Sequence, residues 1–239
     1  MIDSFETHFD VLVFGAHPDD AEMGMGGTVI KLVLSGKSLL YISLTHGEMG
    51  THGSPTLRKK EFDEACRIMG CQGALLDFQD TGVENTREAR IRLARIIRQT
   101  TPQLIFCPYY NNPVGELGGL NHTDHYATGA LVRDAVKLAR LQKTIPDLPK
   151  HTITKLYFYM VPKQINAPLY VDVSDVIDKT MQAIEAYGSQ LAIAPQGLPI
   201  KQVLLTRRAA AGLDIGAAYA ERFVTDLPLN LSARQLFEI

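Results

Sequence analysis

The stretch VFGAHPDDAEMGMGG, residues 13–27, begins as an apolar strand and ends in small residues. Between the two parts lie one histidine and two consecutive aspartates, His17, Asp19 and Asp20. Removing charged groups from water is costly, so their position directly after the most apolar strand indicates a site at that place. The alternative is structural, because an aspartate in a strand-to-helix turn is often only the cap of the helix that follows.

The pattern around this stretch predicts the fold class. Apolar runs that are continuous, as in parallel strands covered on both faces, recur at 10–17, 38–45, 74–78 and 103–110. Helical patterns follow these runs at 21–36, 55–70, 86–100 and 122–141. This order of strands and helices predicts a Rossmann-like, three-layer α/β/α fold with a mostly parallel sheet.

The last third of the chain predicts more of the same architecture. Strand-like runs at 155–160 and 168–173 are followed by helical patterns at about 175–190 and 207–222. We expect these elements to extend the same sheet. Since no repeat or linker interrupts the chain, residues 1–239 are expected to form a single domain.

Composition excludes several classes of partner. The net charge of −2 gives no electrostatic footprint for nucleic acid or an anionic membrane. The first ten residues lack the order of a signal peptide, and no stretch approaches the roughly 18 apolar residues of a spanning helix. Three cysteines without a CxxC motif are typical of reduced, buried thiols. We therefore expect a cytoplasmic protein that binds neither nucleic acid nor membrane.

Polar residues collect where the predicted strands end, and in open α/β sheets this edge binds ligands. They are, strand by strand, His17, Asp19 and Asp20; His46 and Glu48; Gln79 and Asp80; and Asn121, His122, Asp124 and His125. Residues far apart in the chain are thus expected to converge on one edge of the sheet.

Two pairs at this edge share a spacing of three residues, His17 with Asp20 and His122 with His125. Two imidazoles and one carboxylate, without a thiolate, form an open catalytic zinc set whose remaining position holds water. A second carboxylate, Asp19, is placed to accept a proton from that water. Spacing alone does not rank the two histidines of the second pair.

The glycines of the opening stretch suggest a dinucleotide fingerprint, but Gly24, Gly26 and Gly27 do not fit G-x-G-x-x-G. They also lie several residues beyond the strand. Close packing of the helix on the sheet is the better interpretation.

Three motifs carry a resemblance to a known family. AHPDDAEMGMGGT (16–28), LTHGEMGTHG (44–53) with LRKKE (57–61), and NHTDH (121–125) resemble the motifs of the LmbE/PIG-L-like zinc-dependent N-acetylglucosaminyl deacetylases. YVDVSDVIDKTMQAIEAYGSQL (170–191) and YAERF (219–223) are similar to the bacillithiol-biosynthesis branch. The resemblance covers nearly the whole chain.

The resemblance implies a role for each residue of the site. It implies one zinc ion per chain on His17, Asp20 and His125. It implies that Asp19 is the general base, that His122 stabilises the oxyanion and that Asp124 orients this histidine. It also implies a homo-oligomer, with a hexamer among the states found in relatives.

Two further residues are candidate substrate contacts. Arg58 could grip a carboxylate or hydroxyls, or could form only an exposed salt bridge on its helix. Glu48 could hold a sugar hydroxyl or could pair within its own loop. The chain departs from the family at Thr123, where a proline is usual, and in loop 109–121, which is longer and richer in glycine. Because this loop borders the site, its difference from the family bears on the identity of the substrate more than on the reaction.

The sequence thus predicts a metal-dependent amidohydrolase that releases acetate from an N-acetylglucosamine-type small molecule. The resemblance favours N-acetylglucosaminyl malate as substrate, and the alternative is another N-acetylglucosamine derivative, such as a chitobiose-type sugar or a glycosylated metabolite. A non-haem iron oxygenase uses the same ligand types. A non-catalytic sugar-binding module is the third hypothesis, although it would have no use for Asp19.

Overall fold

A computed structural model describes residues 5, 8–112, 122–192 and 197–228 of the chain. Its main sheet has five parallel strands: β1 (Val11–Gly15), β2 (Leu39–Ser43), β3 (Gln72–Leu75), β4 (Leu104–Pro108) and β5 (Lys155–Tyr159). Their spatial order is β3-β2-β1-β4-β5. The chain moves outward from β1 in one direction and then in the other, so the switch point of the sheet lies between β1 and β4.

Six α-helices, two short 3-10 helices and a second, small sheet are the other elements of the described residues. The helices are α1 (Asp20–Leu34), α2 (Pro55–Met69), α3 (Arg87–Thr100), α4 (Thr123–Ala139), α5 (Ile177–Glu185) and α6 (Ile200–Leu213). The small sheet pairs β6 (Leu169–Asp172) with β7 (Ala220–Phe223) in antiparallel register.

Helices cover both faces of the main sheet, which confirms the predicted three-layer class. Leu12 and Phe14 of β1 pack in one core with apolar residues of α3 and α4. Val11 and Val13 point the other way, into a core shared with α1, α2 and α5. All five residues of β1 are buried. Because both faces are covered, the strand reads as a continuous apolar run instead of an alternating one.

Glycines let α1 lie close against its neighbours, as the sequence predicted. A Cβ atom on Gly24 would overlap the ring of Tyr159 in β5. A Cβ on Gly27 would lie 2.7 Å from Val173 Cβ. Neither space accepts even a methyl group, so the glycines serve packing and not a dinucleotide.

The C-terminal third differs from the prediction in two respects. β6 does not extend the main sheet but pairs with β7, and the helix predicted at about 207–222 is instead α6 (Ile200–Leu213), with residues 220–222 in β7. The helical pattern continues past Leu213, but Gly216 adopts a φ of +71° and the chain turns there. Val224, just beyond β7, then forms an antiparallel bridge with Phe158 of β5, which attaches the small sheet to the edge of the large one.

Two predictions from the composition concern the cysteines and membrane-spanning segments. The three cysteines are free thiols, with Cys66 and Cys107 buried. Among the described residues, no helix combines the length and apolarity that a membrane crossing requires.

Candidate metal centre

The carboxyl ends of β1, β2 and β3 and the start of α4 meet at one edge of the main sheet. Seven predicted residues from these elements and from α2 contact one another or Asp80: His17, Asp19, Asp20, Glu48, Arg58, Asp124 and His125. The ring of His122 packs edge-on against that of His17. Asn121 and residues 113–120 of the long loop lie outside the described residues.

The turn from β1 to α1 is closed by a carboxylate that also faces the site. Oδ2 of Asp20 accepts hydrogen bonds from the backbone N–H groups of Ala16, at 2.7 Å, and His17, at 3.1 Å. The Tyr41 hydroxyl donates to the carbonyl of His17 at 2.9 Å. These bonds occupy one carboxylate oxygen of Asp20 and leave Oδ1 directed at the histidines.

Three atoms form a compact set of metal donors. His17 Nδ1 lies 3.2 Å from His125 Nε2 and 3.8 Å from Asp20 Oδ1. His125 Nε2 and Asp20 Oδ1 are 3.1 Å apart. Tetrahedral zinc with bonds of about 2.0–2.1 Å separates its ligand atoms by roughly 3.3 Å. The trio therefore fits one face of a tetrahedron and can hold a divalent ion with its fourth position open.

The other nitrogen of His17 is held by carboxylates. Nε2 lies 3.0 Å from Asp80 Oδ1 and 3.6 Å from Asp124 Oδ2. A carboxylate on the far side of a ligating histidine fixes the tautomer and the ring orientation, so that Nδ1 is free for a metal. Burial acts to raise the pKa of Asp80, but hydrogen bonds from His17 and Met49 lower it to about 2.

The sequence predicted the position of Asp80 at the edge of the sheet, but not its contact with His17. Asp80 follows β3, at the same edge as the other polar residues, and is buried. The available signal was its place after a strand, which does not tell a positioning carboxylate from a loop residue.

Asp19 lies beside the donor trio, and its carboxylate contacts Arg58 instead of the two histidines. Its Oδ2 accepts a hydrogen bond from Arg58 Nη2 at 3.1 Å. Burial raises the pKa of Asp19 to about 6, against the opposing charge of Arg58. Its backbone φ of 154° is one that residues other than glycine seldom adopt, which is typical of functional turns.

Arg58 is buried and engaged with the protein. Besides Asp19, its guanidinium donates to the carbonyls of Pro18, at 3.0 Å, and Gly47, at 3.3 Å. It therefore does not form the exposed salt bridge that was one alternative for its helix. The predicted contact with substrate stays a prediction.

Glu48 connects neighbouring loops. Oε1 accepts the backbone N–H of Asp80 at 2.8 Å, and Oε2 accepts that of His46 at 3.2 Å. The residue thus supports the loop that carries Asp80, and its predicted hydrogen bond to a sugar hydroxyl stays untested.

His122 caps α4 with its side chain. Its Nδ1 accepts the backbone N–H of Asp124 at 3.2 Å, which in the neutral ring leaves the proton on Nε2. Burial, together with the nearby His17 and His125, lowers the pKa of His122. The carboxylate of Asp124 accepts the backbone N–H of Thr81 at 2.7 Å and approaches His17. The predicted role of Asp124 toward His122 stays a prediction.

His17, His122 and Asp124 form a second group that could hold a metal. In this group, Nδ1 of His122 and Oδ2 of Asp124 already accept backbone hydrogen bonds. In the trio with Asp20 and His125, the backbone hydrogen bonds of Asp20 fall on Oδ2 while Oδ1 faces the histidines, so this trio is the better site.

Comparison with known proteins is consistent with this geometry. The family model described as PIG-L, GlcNAc-PI de-N-acetylase, matches residues 12–136. The chain is 34% identical to the diacetylchitobiose deacetylase of Thermococcus kodakarensis over 75% of its own length and 69% of the relative. It is 27% identical to the probable N-acetyl-alpha-D-glucosaminyl L-malate deacetylase 2 of Bacillus anthracis over 76% and 81%, respectively.

The fold has a similar counterpart among solved structures. The conserved protein TT1542 from Thermus thermophilus superposes with a TM-score of 0.83 and 34% identity. The match covers 94% of this chain and 98% of that one. The α/β architecture therefore agrees over almost the entire length.

Proposed function

The chain belongs to the PIG-L family of N-deacetylases, and from that premise we propose that it is a zinc-dependent hydrolase of N-acetylglucosamine-type small molecules. The observation that carries the proposal is the donor trio of His17, Asp20 and His125 with the carboxylate of Asp19 beside it. A capped turn would not need the second, buried carboxylate. The products are acetate and the free amine of the sugar.

The residues around the trio divide the work of amide hydrolysis. A zinc ion, when bound, polarises the amide carbonyl and lowers the pKa of its water. Asp19 accepts the proton of the attacking water, and Arg58 holds its carboxylate in place. His122 donates from Nε2 to the carbonyl oxygen as negative charge develops there. The C–N bond then breaks and the nitrogen leaves with the proton that Asp19 took up.

For the substrate, a neutral chitobiose-type sugar is the first candidate and N-acetylglucosaminyl malate the second. The diacetylchitobiose deacetylase is the more similar of the two relatives compared. The guanidinium of Arg58, which the sequence offered for an acidic aglycone, is bonded to Asp19 and two carbonyls. The resemblance of residues 170–191 and 219–223 to the bacillithiol-biosynthesis branch is then the remaining sequence argument for the malate glycoside.

Amine release from a panel of N-acetylglucosamine compounds tests the proposal. The panel includes N,N′-diacetylchitobiose, N-acetylglucosaminyl malate and a neutral alkyl glycoside, with metal content measured on the same preparation. We expect zinc near one equivalent and release of acetate and amine in equal amounts. Dependence on iron with consumption of oxygen would favour the oxygenase instead, and binding without turnover would favour the sugar-binding module.

The homo-oligomer is part of the same proposal and rests on the family alone. Light scattering of the purified protein measures it directly. A mass of a single chain at micromolar concentration would contradict it.

A further inference from the structure

Helix α1 is broken one turn after it begins. Met25, with φ −155° and ψ 23°, leaves helical geometry, and the helix resumes at Gly26. The short first segment starts at the metal-ligand candidate Asp20 and follows the general-base candidate Asp19. A break of this kind leaves backbone N–H and C=O groups without partners inside the helix.

Glu221 of β7 satisfies the donors of the second segment. Its carboxylate accepts the backbone N–H of Gly27 at 3.0 Å and that of Thr28 at 2.8 Å, and the Thr28 hydroxyl also donates to it at 2.8 Å. A negative charge at this place complements the N-terminal end of a helix dipole.

Arg208 of α6 satisfies the acceptors of the first segment. Its Nη2 donates to the carbonyl of Glu22 at 2.9 Å and to that of Met23 at 3.1 Å. A positive charge here complements the C-terminal end of the first segment. Each half of the broken helix thus has a charged cap of the favourable sign.

The two caps are joined to each other. Arg208 Nε lies 2.9 Å and Nη2 lies 2.8 Å from Glu221 Oε1, and only 4% and 3% of these two residues is exposed. A buried ion pair is by itself weak evidence for stability, because desolvation offsets the attraction between the charges. Here the same atoms also occupy both ends of the helix break, which gives the pair a positional role.

We propose that Arg208 and Glu221 are positioning residues for the metal-ligand turn, an inference that rests on the proposed metal site. A single helical turn is not stable alone, so the orientation of the segment that begins at Asp20 depends on what holds its ends. Oδ2 of Asp20 fixes the start through Ala16 and His17, and Arg208 fixes the end. Both positioning residues lie outside the 12–136 stretch that the family model matches.

Cobalt binding tests the proposal without relying on activity. Co²⁺ substitutes for zinc, and its visible absorption reports coordination geometry. Arg208→Met removes the cap of the first segment without touching the three donors. Arg208→Lys keeps the charge but lacks the fork that reaches both carbonyls and Glu221. We expect Co²⁺ affinity to fall about 10–100-fold in both variants, the usual scale for outer-shell partners, with an altered spectrum.

Arg98→Met is the matched control. Arg98 is 3% exposed and donates to the carbonyls of Ala139, Leu141 and Leu148, at the far end of α4. That end lies about 20 Å along the helix from His125. This variant is expected to lower the melting temperature but to keep the wild-type Co²⁺ affinity and spectrum.

The outcomes separate this proposal from the proposed function. If the Arg208 variants bind Co²⁺ as wild type does, while their melting temperatures fall as in Arg98→Met, the pair is only structural and the proposal is overturned. If wild type itself binds no Co²⁺, the proposed metal site fails and the proposal fails with it. Arg208→Lys provides the measurement if Arg208→Met does not fold.

Discussion

Two adjacent carboxylates in the β1–α1 turn have opposite environments. Burial acts to raise the pKa of both, but His125 and His17 hold the pKa of Asp20 well below its ordinary value. Asp19 faces a single guanidinium, and its pKa is raised to about 6. Neighbouring acids whose pKa values are pushed apart are a common sign of divided catalytic roles. This difference agrees with the proposed roles of Asp20 as a metal ligand and Asp19 as the general base.

Asp19→Asn tests the base. The amide has nearly the same size and still accepts a hydrogen bond from Arg58, but it takes no proton from water. We expect metal content and melting temperature close to wild type, with kcat lower by about 10²–10⁴-fold. Steady-state kinetics and elemental analysis on one preparation measure both. A kcat within a few-fold of wild type would remove Asp19 from the mechanism.

The roles of the two histidines at the start of α4, His122 and His125, are separated by a second pair of variants. His125 contributes a donor atom to the trio, whereas His122 Nδ1 accepts the backbone N–H of Asp124 and caps the helix. His125→Ala should lose metal and activity together. His122→Ala should keep near-normal zinc and KM but lose roughly 10²–10³ in kcat, the scale of one oxyanion donor. If His122→Ala loses zinc and His125→Ala retains it, the roles are exchanged.

At the scale of elements, α2 and the loop before it hold the β1–α1 turn through Arg58. The helix begins at a Ser54 cap with Pro55 in its first turn, which places Arg58 one turn inside. Gly47, with φ +65°, lets the loop approach so closely that a Cβ atom there would overlap the guanidinium. The loop glycine is thus required by both the backbone conformation and the arginine.

Gly47→Ala is expected to displace Arg58 and to reduce kcat about 10²-fold, the loss that a misplacement of about 1 Å can cause. Gly36→Ala is the matched control, because Gly36 also has a positive φ, of +83°, but nothing lies within 4 Å of its Cβ position. Both variants carry a backbone cost of about 1–2 kcal/mol. Equal melting temperatures with equal, unreduced activities would show that Arg58 tolerates the shift.

The central strands β1 and β2 were predictable because every residue in them is buried, so they read as continuous apolar runs. The edge strand β3 was predicted less well: it spans Gln72–Leu75 instead of 74–78, and its residues are exposed or half-buried. The small sheet was not predictable. β7 has only four residues, AERF, and follows an alanine-rich stretch with high helix propensity. Its strand conformation depends on pairing with β6 and on the bridge to Phe158, contacts that local sequence does not encode.

The sequence predicted which residues converge at the site, but not the contacts that they make with one another. The spacing of the residues and their places at strand ends predicted that His17 and Asp20 lie close to the histidines at the start of α4. In the structure His17, Asp20 and His125 form the donor trio. The partners of Arg58 and of Asp80 come from other loops, so tertiary structure alone decides them. A pattern along one segment cannot show that an arginine from α2 reaches the carboxylate of Asp19.

At the scale of the whole molecule, the donor trio links two distant parts of the chain. His17 and Asp20 lie at the start of α1, and His125 lies in α4 on the other side of the switch point. An ion bound there connects the two halves of the sheet edge. It also relieves the repulsion between Asp19 and Asp20, both buried in the same turn.

Removal of the metal is therefore expected to lower global stability as well as activity. A ligand at 100 times its dissociation constant stabilises the folded state by about 2.7 kcal/mol, if the unfolded chain does not bind it. For a chain of this size, each kcal/mol shifts the melting temperature by about 2–4 °C. Calorimetry before and after chelation should show a fall of about 5–11 °C that zinc restores.

The shift on adding zinc should shrink as the pH falls from 8 to 6, because the ligating imidazoles must be neutral to bind. His125→Ala provides the control, since a protein without the third donor should melt at the same temperature with and without zinc. A zinc-dependent shift of wild-type size in His125→Ala would place the stabilising ion elsewhere in the molecule. A chelated wild type that melts unchanged would mean that the two halves of the sheet edge hold together without an ion.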